Sequence, residues 1–178
     1  MEKLDWLGER LLDWRIRTVL PHVRGRLLDI GCGTNRLVRT YGQGLGVDVF
    51  RVGDADLLVP DASRLPYADA SFDTVSIVAA LNHMANRVDV LREARRLLRP
   101  SGRIVVTMIP PLLSTIWHKL RERWDRDQHE RGLQDEELYG MTARQVRELL
   151  AAADFRVILE ERFMLGINRL TVAEKLPR

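Results

Sequence analysis

Apolar residues recur along the chain in two rhythms. Leu4, Leu7, Leu11 and Trp14 follow the spacing of one helix face, and Pro21 closes that segment, so the chain is expected to open with an amphipathic helix within residues 1–24. Short apolar runs bounded by glycine, proline and acids follow. Arg26 to Ile30 predicts a strand, Thr34 to Tyr41 a helix stopped by Gly42, Leu45 to Val49 a second strand and Asp56 to Val59 a short third. Phe72 to Ala79 predicts a fourth strand, and Arg87 to Leu98 a charged amphipathic helix ended by Arg99, Pro100, Ser101 and Gly102. Arg103 to Ile109 predicts a fifth strand. Thr142 and Gln145 have the T-x-x-Q spacing of a capping box for a helix through Ala153. Arg156 to Phe163 and Arg169 to Lys175, parted by Gly166, predict an antiparallel pair.

Strands alternating with helices imply right-handed crossovers and a mostly parallel sheet covered on both faces. The expected fold is a doubly wound α/β sandwich of seven strands with an antiparallel C-terminal hairpin. In such sheets ligands sit beyond the carboxyl ends of the strands, where the winding reverses, and the loop after the first strand lies there.

Composition narrows the classes. At 178 residues the chain suits one domain. The longest apolar runs, such as Thr74 to Leu81, fall short of the ~20 residues of a membrane helix, and the N-terminus is too charged for a secretory signal. A cytoplasmic location is expected. The single cysteine, Cys32, cannot form an intrachain disulfide, and no Cys/His set has zinc spacing, so no metal is expected. The net charge is +3, with basic residues interleaved with acids, which makes a nucleic-acid partner unlikely.

The stretch Leu27–Arg36, LLDIGCGTNR, carries the chemistry. Glycines there let the backbone turn sharply and approach a ligand. A dinucleotide loop wants a third glycine where Arg36 stands, and a Walker-type loop wants a lysine followed by Ser or Thr, which is missing. Asp29 instead precedes the first glycine by two residues. A carboxylate there repels a pyrophosphate and suits an ammonium, while loop amides and the following helix suit a carboxylate. An amino acid joined to a nucleoside meets both demands.

LLDIGCGT resembles the first motif of class I S-adenosylmethionine-dependent methyltransferases, which have a Rossmann-like fold, and further motifs occur in that family's order across Gly25 to Ile109. The branch with the closest look includes the ubiquinone and menaquinone methyltransferases. The resemblance implies S-adenosyl-L-methionine as cofactor, held by Asp29, Gly31, Cys32, Gly33 and Thr34. It implies ribose hydroxyls on Asp48, beside Val49 in GVDVF, and adenine at Asp61 and Ala62 in DASRLPYADASFD. Val78 and Ala79, in SFDTVSIVAALNHM, would meet the methionine part, and LLRPSGRIVV matches the entry to the fifth strand. Two departures stand out: Asn35 replaces a frequent glycine, and only twelve residues separate Asp48 from Asp61, too few for the usual intervening helix.

Methyl transfer from a sulfonium is an in-line displacement, so much of its catalysis can come from alignment, worth up to roughly 7–11 kcal/mol. His83, just past the fourth strand, is a candidate base where the acceptor must lose a proton; its other reading is a turn cap with Asn82. Residues 110–141 fall where the family inserts a lid, and Trp117, Trp124 and Tyr139 would then shield the acceptor, unless Ile116, Leu120 and Trp124 are simply core. His118, Asp125 and His129 lie scattered in a charged run and read as surface. No Asp/Asn-Pro-Pro-aromatic motif follows the fourth strand, which argues against planar amide or base-amine acceptors, and Cys32 in the loop excludes a cysteine-nucleophile cytosine methyltransferase. The expected activity is methyl transfer to a small molecule. A non-catalytic S-adenosylmethionine-binding module and an NAD-dependent oxidoreductase are the alternatives.

Overall fold

The structure, a computed structural model, describes residues 2–51, 53–111 and 140–176. Its centre is one seven-stranded sheet in the order β3-β2-β1-β4-β5-β7-β6. The strands are β1 (Leu27–Ile30), β2 (Gly44–Asp48), β3 (Leu57–Leu58), β4 (Phe72–Val78), β5 (Leu98–Met108), β6 (Phe155–Phe163) and β7 (Asn168–Lys175). β3, β2, β1, β4 and β5 pair in parallel, and β7 runs antiparallel between β5 and β6. The order reverses between β1 and β4, so a crevice opens beyond the carboxyl ends of those strands.

Strand alternation sorts side chains onto two faces, each with its own core. Leu28, Ile30, Val75, Ile77, Ile104 and Val106 face α3 (Arg87–Leu97) and α4 (Ala143–Ala152), packing on Val90, Leu91, Ala94, Val146 and Leu150. Leu27, Val105, Leu170 and Val172 face α1 (Glu2–Val19) and α2 (Arg36–Tyr41), packing on Ile16, Val19, Leu37 and Val38. Each fully buried Leu or Ile contributes about 1.5–3 kcal/mol, so both helical layers are firmly attached. The expected capping box forms: Gln145 N donates to Thr142 Oγ1 at 3.2 Å, and Thr142 N donates to Gln145 Oε1 at 2.8 Å.

Several boundaries shift from the pattern's expectation, most by a single residue, and three of the shifts have a local reason. α2 begins at Arg36 and not at Thr34, because Asn35 takes a left-handed conformation, φ +57° and ψ +23°. β5 begins at Leu98, immediately after α3. Leu98 pairs with Phe72, Arg103 pairs with Thr74, and the Arg99–Gly102 turn chemistry is absorbed as a bulge with Ser101 at φ +63°. β4 stops at Val78, because Ala79 turns to φ +53°. Residues 49–56 join β2 to β3 without a described helix. Met141 N donates to Ile109 O at 3.2 Å, so these two residues meet at the carboxyl end of β5. No described helix is long and apolar enough to cross a membrane.

Candidate functional site

A cleft of about 970 Å³ opens at the carboxyl ends of β1, β2 and β4. Its floor is the loop from Gly31 to Thr34. Gly31 has φ +73°, and a Cβ there would stand 2.6 Å from the Cβ of Ala80, so the first glycine lets the β1 loop pass the end of β4. Gly33 has φ +52° with open space around it; glycine answers there to conformation, not crowding. Asn35 supplies the last left-handed turn without a glycine. Its amide donates to Asp54 O and to Asp56 Oδ2, both at 2.9 Å, and Asp56 Oδ2 also accepts from Gly46 N at 2.7 Å. The short connection after β2 thus braces the loop from behind.

Asp48, at the tip of β2, is an acceptor already partly engaged. Its Oδ2 accepts from Gly33 N at 2.8 Å, and its Oδ1 accepts from Val49 N at 2.8 Å and Phe50 N at 3.0 Å. A carboxylate offers about four acceptor positions, so roughly one, on Oδ2, is left for a ligand. Val49 and Phe50 stand beside it on the rim, each 42% exposed. Asp61 lies across the cleft and accepts from Ser63 N at 2.8 Å, Ser63 Oγ at 2.6 Å and Asn86 Nδ2 at 3.0 Å. Those bonds hold its carboxyl below the usual range. Ala62 is buried beside it and also lines the cleft.

Asp29 behaves differently. It is 2% exposed and sits behind the cleft wall, bonded to Ser76 Oγ at 2.6 Å. Burial pushes its carboxyl up to about 7; the Ser76 bond opposes this and the nearby Asp48 charge adds to it. Cys32 lines the cleft, but burial and the charges of Asp29, Asp48 and Asp56 push its thiol up to about 12. It is no nucleophile at neutral pH.

Val78, Ala79, Ala80, His83 and Met84 form the wall from β4. Ala79 is held in its left-handed turn by Thr107, whose O and Oγ1 accept from Ala79 N at 3.2 Å and 3.0 Å. His83 ends a short 3-10 turn, Leu81–His83, with Asn82 Nδ2 3.1 Å from its Nε2. An amide nitrogen only donates, so Nε2 accepts and the neutral ring carries its proton on Nδ1. The pattern therefore brings Gly31, Cys32, Gly33, Thr34, Asp48, Val49, Asp61, Ala62, Val78, Ala79 and His83 to one cleft, with Asp29 beneath it. Trp117, Trp124, Tyr139, His118, Asp125 and His129 lie outside the described residues.

Sequence reasoning missed α1's part. Leu12 and Arg15 line the cleft, and α1 is tied to α2 by ion pairs from Arg36 to Glu9 and to Asp13, the latter at 2.9 Å. It also missed Phe50, Pro60 and Asn86. The amphipathic spacing of α1 gave only its packing face; nothing local separates a charge on a cleft from one in solvent.

Residues 28–106 match the methyltransferase domain family. A ubiquinone/menaquinone biosynthesis C-methyltransferase from Burkholderia mallei is 29% identical over 135 residues, covering 63% of this chain and 54% of the relative. The chain thus spans about half the length of the curated relatives it matches. Among solved structures, a S-adenosylmethionine-dependent methyltransferase from Thermotoga maritima superposes with a TM-score of 0.72 at 18% identity, over 92% of this chain and 88% of the other. The 1,6-didemethyltoxoflavin-N1-methyltransferase of Burkholderia thailandensis, solved with its substrate and S-adenosylhomocysteine, superposes with a TM-score of 0.65 at 21% identity, over 92% and 77%. These two likenesses are of fold.

Proposed function

We propose that the chain is a class I S-adenosylmethionine-dependent methyltransferase, a reading supported by the domain match and the likenesses above, that its cleft holds S-adenosyl-L-methionine and that it transfers the methyl group to a small molecule. The observation that carries this reading is the glycine loop at the switch point, with one acceptor position of Asp48 directed past it and Asp61 on the facing wall. The cleft volume lies within the range of small-molecule and cofactor sites, and Gly31 leaves room a Cβ would close.

The ligand's adenosine end lies between Val49, Phe50, Asp61 and Ala62. Asp48 accepts one ribose hydroxyl on Oδ2, while its other bonds keep the loop turned. Loop amides of Cys32, Gly33 and Thr34 border the amino-acid part, and Val78 and Ala79 flank it. Asp29 acts from behind the wall through its charge. Bound there, the cofactor supplies an electrophilic methyl carbon on a sulfonium. The chain's task is then alignment: the strained turn at Ala79, bonded twice to Thr107, keeps the β4 wall from yielding. His83 stands where an acceptor's proton could be taken, and it serves as a base only after exchanging the Asn82 bond at Nε2 for the acceptor.

The reading includes a single domain over residues 1–178, with residues 110–141 as a lid bearing Trp117, Trp124 and Tyr139; the bond of Met141 to Ile109 puts both ends of that segment beside the carboxyl end of β5. It also includes a cytoplasmic place of action and no nucleic-acid partner, consistent with the interleaved charges. The test is incubation with S-adenosylmethionine carrying a trideuteromethyl group and a metabolite extract. The expected result is a small molecule that gains one labelled methyl, and the acceptor is thereby identified. Cofactor binding without any labelled product would make the chain a binding module.

A further inference from the structure

A second cavity, of about 710 Å³, lies at the opposite end of the sheet from the cleft, where β5 and β6 begin and β7 ends. Basic side chains from three elements line it: Arg92, Arg95 and Arg96 from α3, Arg156 from β6 and Lys175 from β7. Three acids face them, Asp69, Asp154 and Glu174. The cations are bonded very unequally. Arg96 commits all its donors to Glu93, Asp69 and the carbonyls of Leu65 and Tyr67, and Lys175 donates to Leu98 O at 2.8 Å. Arg95 is only 6% exposed, yet Nη2 alone has a described hydrogen bond, to Leu176 O at 3.0 Å, and the buried Nε makes none. Asp154 stands 3.8 Å from that Nε, and Glu174 stands 3.9 Å from Arg156 Nη2, both beyond hydrogen-bond reach. The acids moderate the charge here without satisfying the donors.

We infer that this cavity binds a phosphate monoester, a small molecule with a terminal phosphate, through the buried Arg95 and the more exposed Arg92 and Arg156. A guanidinium buried with unmade hydrogen bonds is costly, and an oxyanion that reaches it supplies both the charge and the missing acceptors. The nearby carboxylates stop short of bonding Arg95 and Arg156. A terminal phosphate carries up to two charges and three open oxygens, enough to meet guanidinium groups from two elements at once. The bridged diphosphate of a dinucleotide has one charge on each phosphorus and a sugar on either side, so it suits the cavity less. Arg92 bonds Asp89 at 3.1 Å, but both side chains are about 60% exposed, and a surface pair of this kind exchanges at little cost. Ser101, left-handed at the β5 bulge, adds a hydroxyl to the lining. The volume exceeds that of a bare phosphate and leaves room for the organic group it is attached to. The cavity shares no lining residue with the cleft, so this site is independent of the cofactor reading.

The test is calorimetric titration of the full chain with phenyl phosphate at neutral pH, where the group is mostly dianionic, and at constant ionic strength. The unmodified chain should bind one equivalent saturably. Arg95→Met, which keeps the apolar stem, should bind it roughly 10- to 100-fold more weakly, the range of charged hydrogen bonds, and Arg156→Gln about 3-fold more weakly. No saturable binding, or equal affinity in the unmodified chain and Arg95→Met, overturns the proposal. If Arg95→Met does not fold, the double variant Arg92→Gln, Arg156→Gln carries the comparison: weakened binding supports the site and unchanged binding overturns it. Saturating S-adenosylhomocysteine should leave the affinity for phenyl phosphate as it was. Competition between the two would place the anion in the cleft and overturn the proposal, whereas absence of a phosphate site leaves the cofactor reading standing.

Discussion

The two edges of the sheet handle their acids in opposite ways. At the amino ends of the strands, carboxylates meet guanidinium groups. Asp73 accepts from Arg26 N at 2.8 Å and pairs with Arg99 at 2.9 Å. Arg96 bonds Glu93 and Asp69, each at 2.6 Å, and also the carbonyls of Leu65 and Tyr67. Glu174 sits beside Arg103 and Arg156. At the carboxyl ends, Asp48 and Asp61 are satisfied mainly by neutral N–H and O–H donors, and Asp29 by a hydroxyl alone. Neutral donors order a carboxylate without cancelling its charge. At one end the acids are thus paired charge for charge, while at the other Asp48 and Asp61 are ordered by neutral donors and keep their charge for a ligand.

The largest effect that would break this contrast comes from Gly31→Ala. The added methyl meets Ala80 and forces a left-handed alanine, so we expect a loss of about 2–4 kcal/mol in stability together with loss of S-adenosylhomocysteine binding; thermal unfolding and calorimetry read both. Asp48→Ala comes next. It removes the ribose acceptor and three turn bonds, and should weaken S-adenosylhomocysteine by about 1–3 kcal/mol. Unchanged affinity would put the ribose elsewhere. Asp73→Asn probes the other edge, where stability should fall by about 1 kcal/mol and ligand affinity should not change. A loss of affinity there would show that the two edges are coupled.

A further effect concerns pH. Asp29 is raised to about 7 in the folded chain from an ordinary value near 3.8. Between those values the folded chain keeps a proton that the unfolded chain has lost, so stability from this group falls as pH rises across that window and levels off above it. An ammonium-bearing ligand prefers the ionised form, so affinity should rise towards pH 7. Asp29→Asn should flatten both trends, measured as unfolding temperature and as affinity between pH 5 and 8. Equal pH profiles in the two proteins would remove Asp29 from the account.

How much of this was legible beforehand follows from the range of the forces involved. The seven strands, the capping box at Thr142 and Gln145 and the glycine loop are local signals, carried by residues within a few positions of one another. The left-handed tolerance of Asn35 was readable too, but not that it would delay α2 to Arg36. Leu98 joining β5 depended on pairing with Phe72, a contact set by the sheet and invisible in a proline-glycine stretch. Asp29 read as a ligand contact, yet its carboxyl lies behind the wall on Ser76, because β1 is buried on both faces. The presence of Arg15 in the cleft lining was out of reach for the same kind of reason: it depends on where α1 docks, and that depends on cores far along the chain.

The most direct test of the central claim is calorimetric titration of the purified chain with S-adenosylhomocysteine and, separately, with NAD. Saturable one-to-one binding of the first and none of the second is predicted, because the acid-lined loop favours a charged amine over a pyrophosphate. Binding of NAD without binding of S-adenosylhomocysteine would contradict the account.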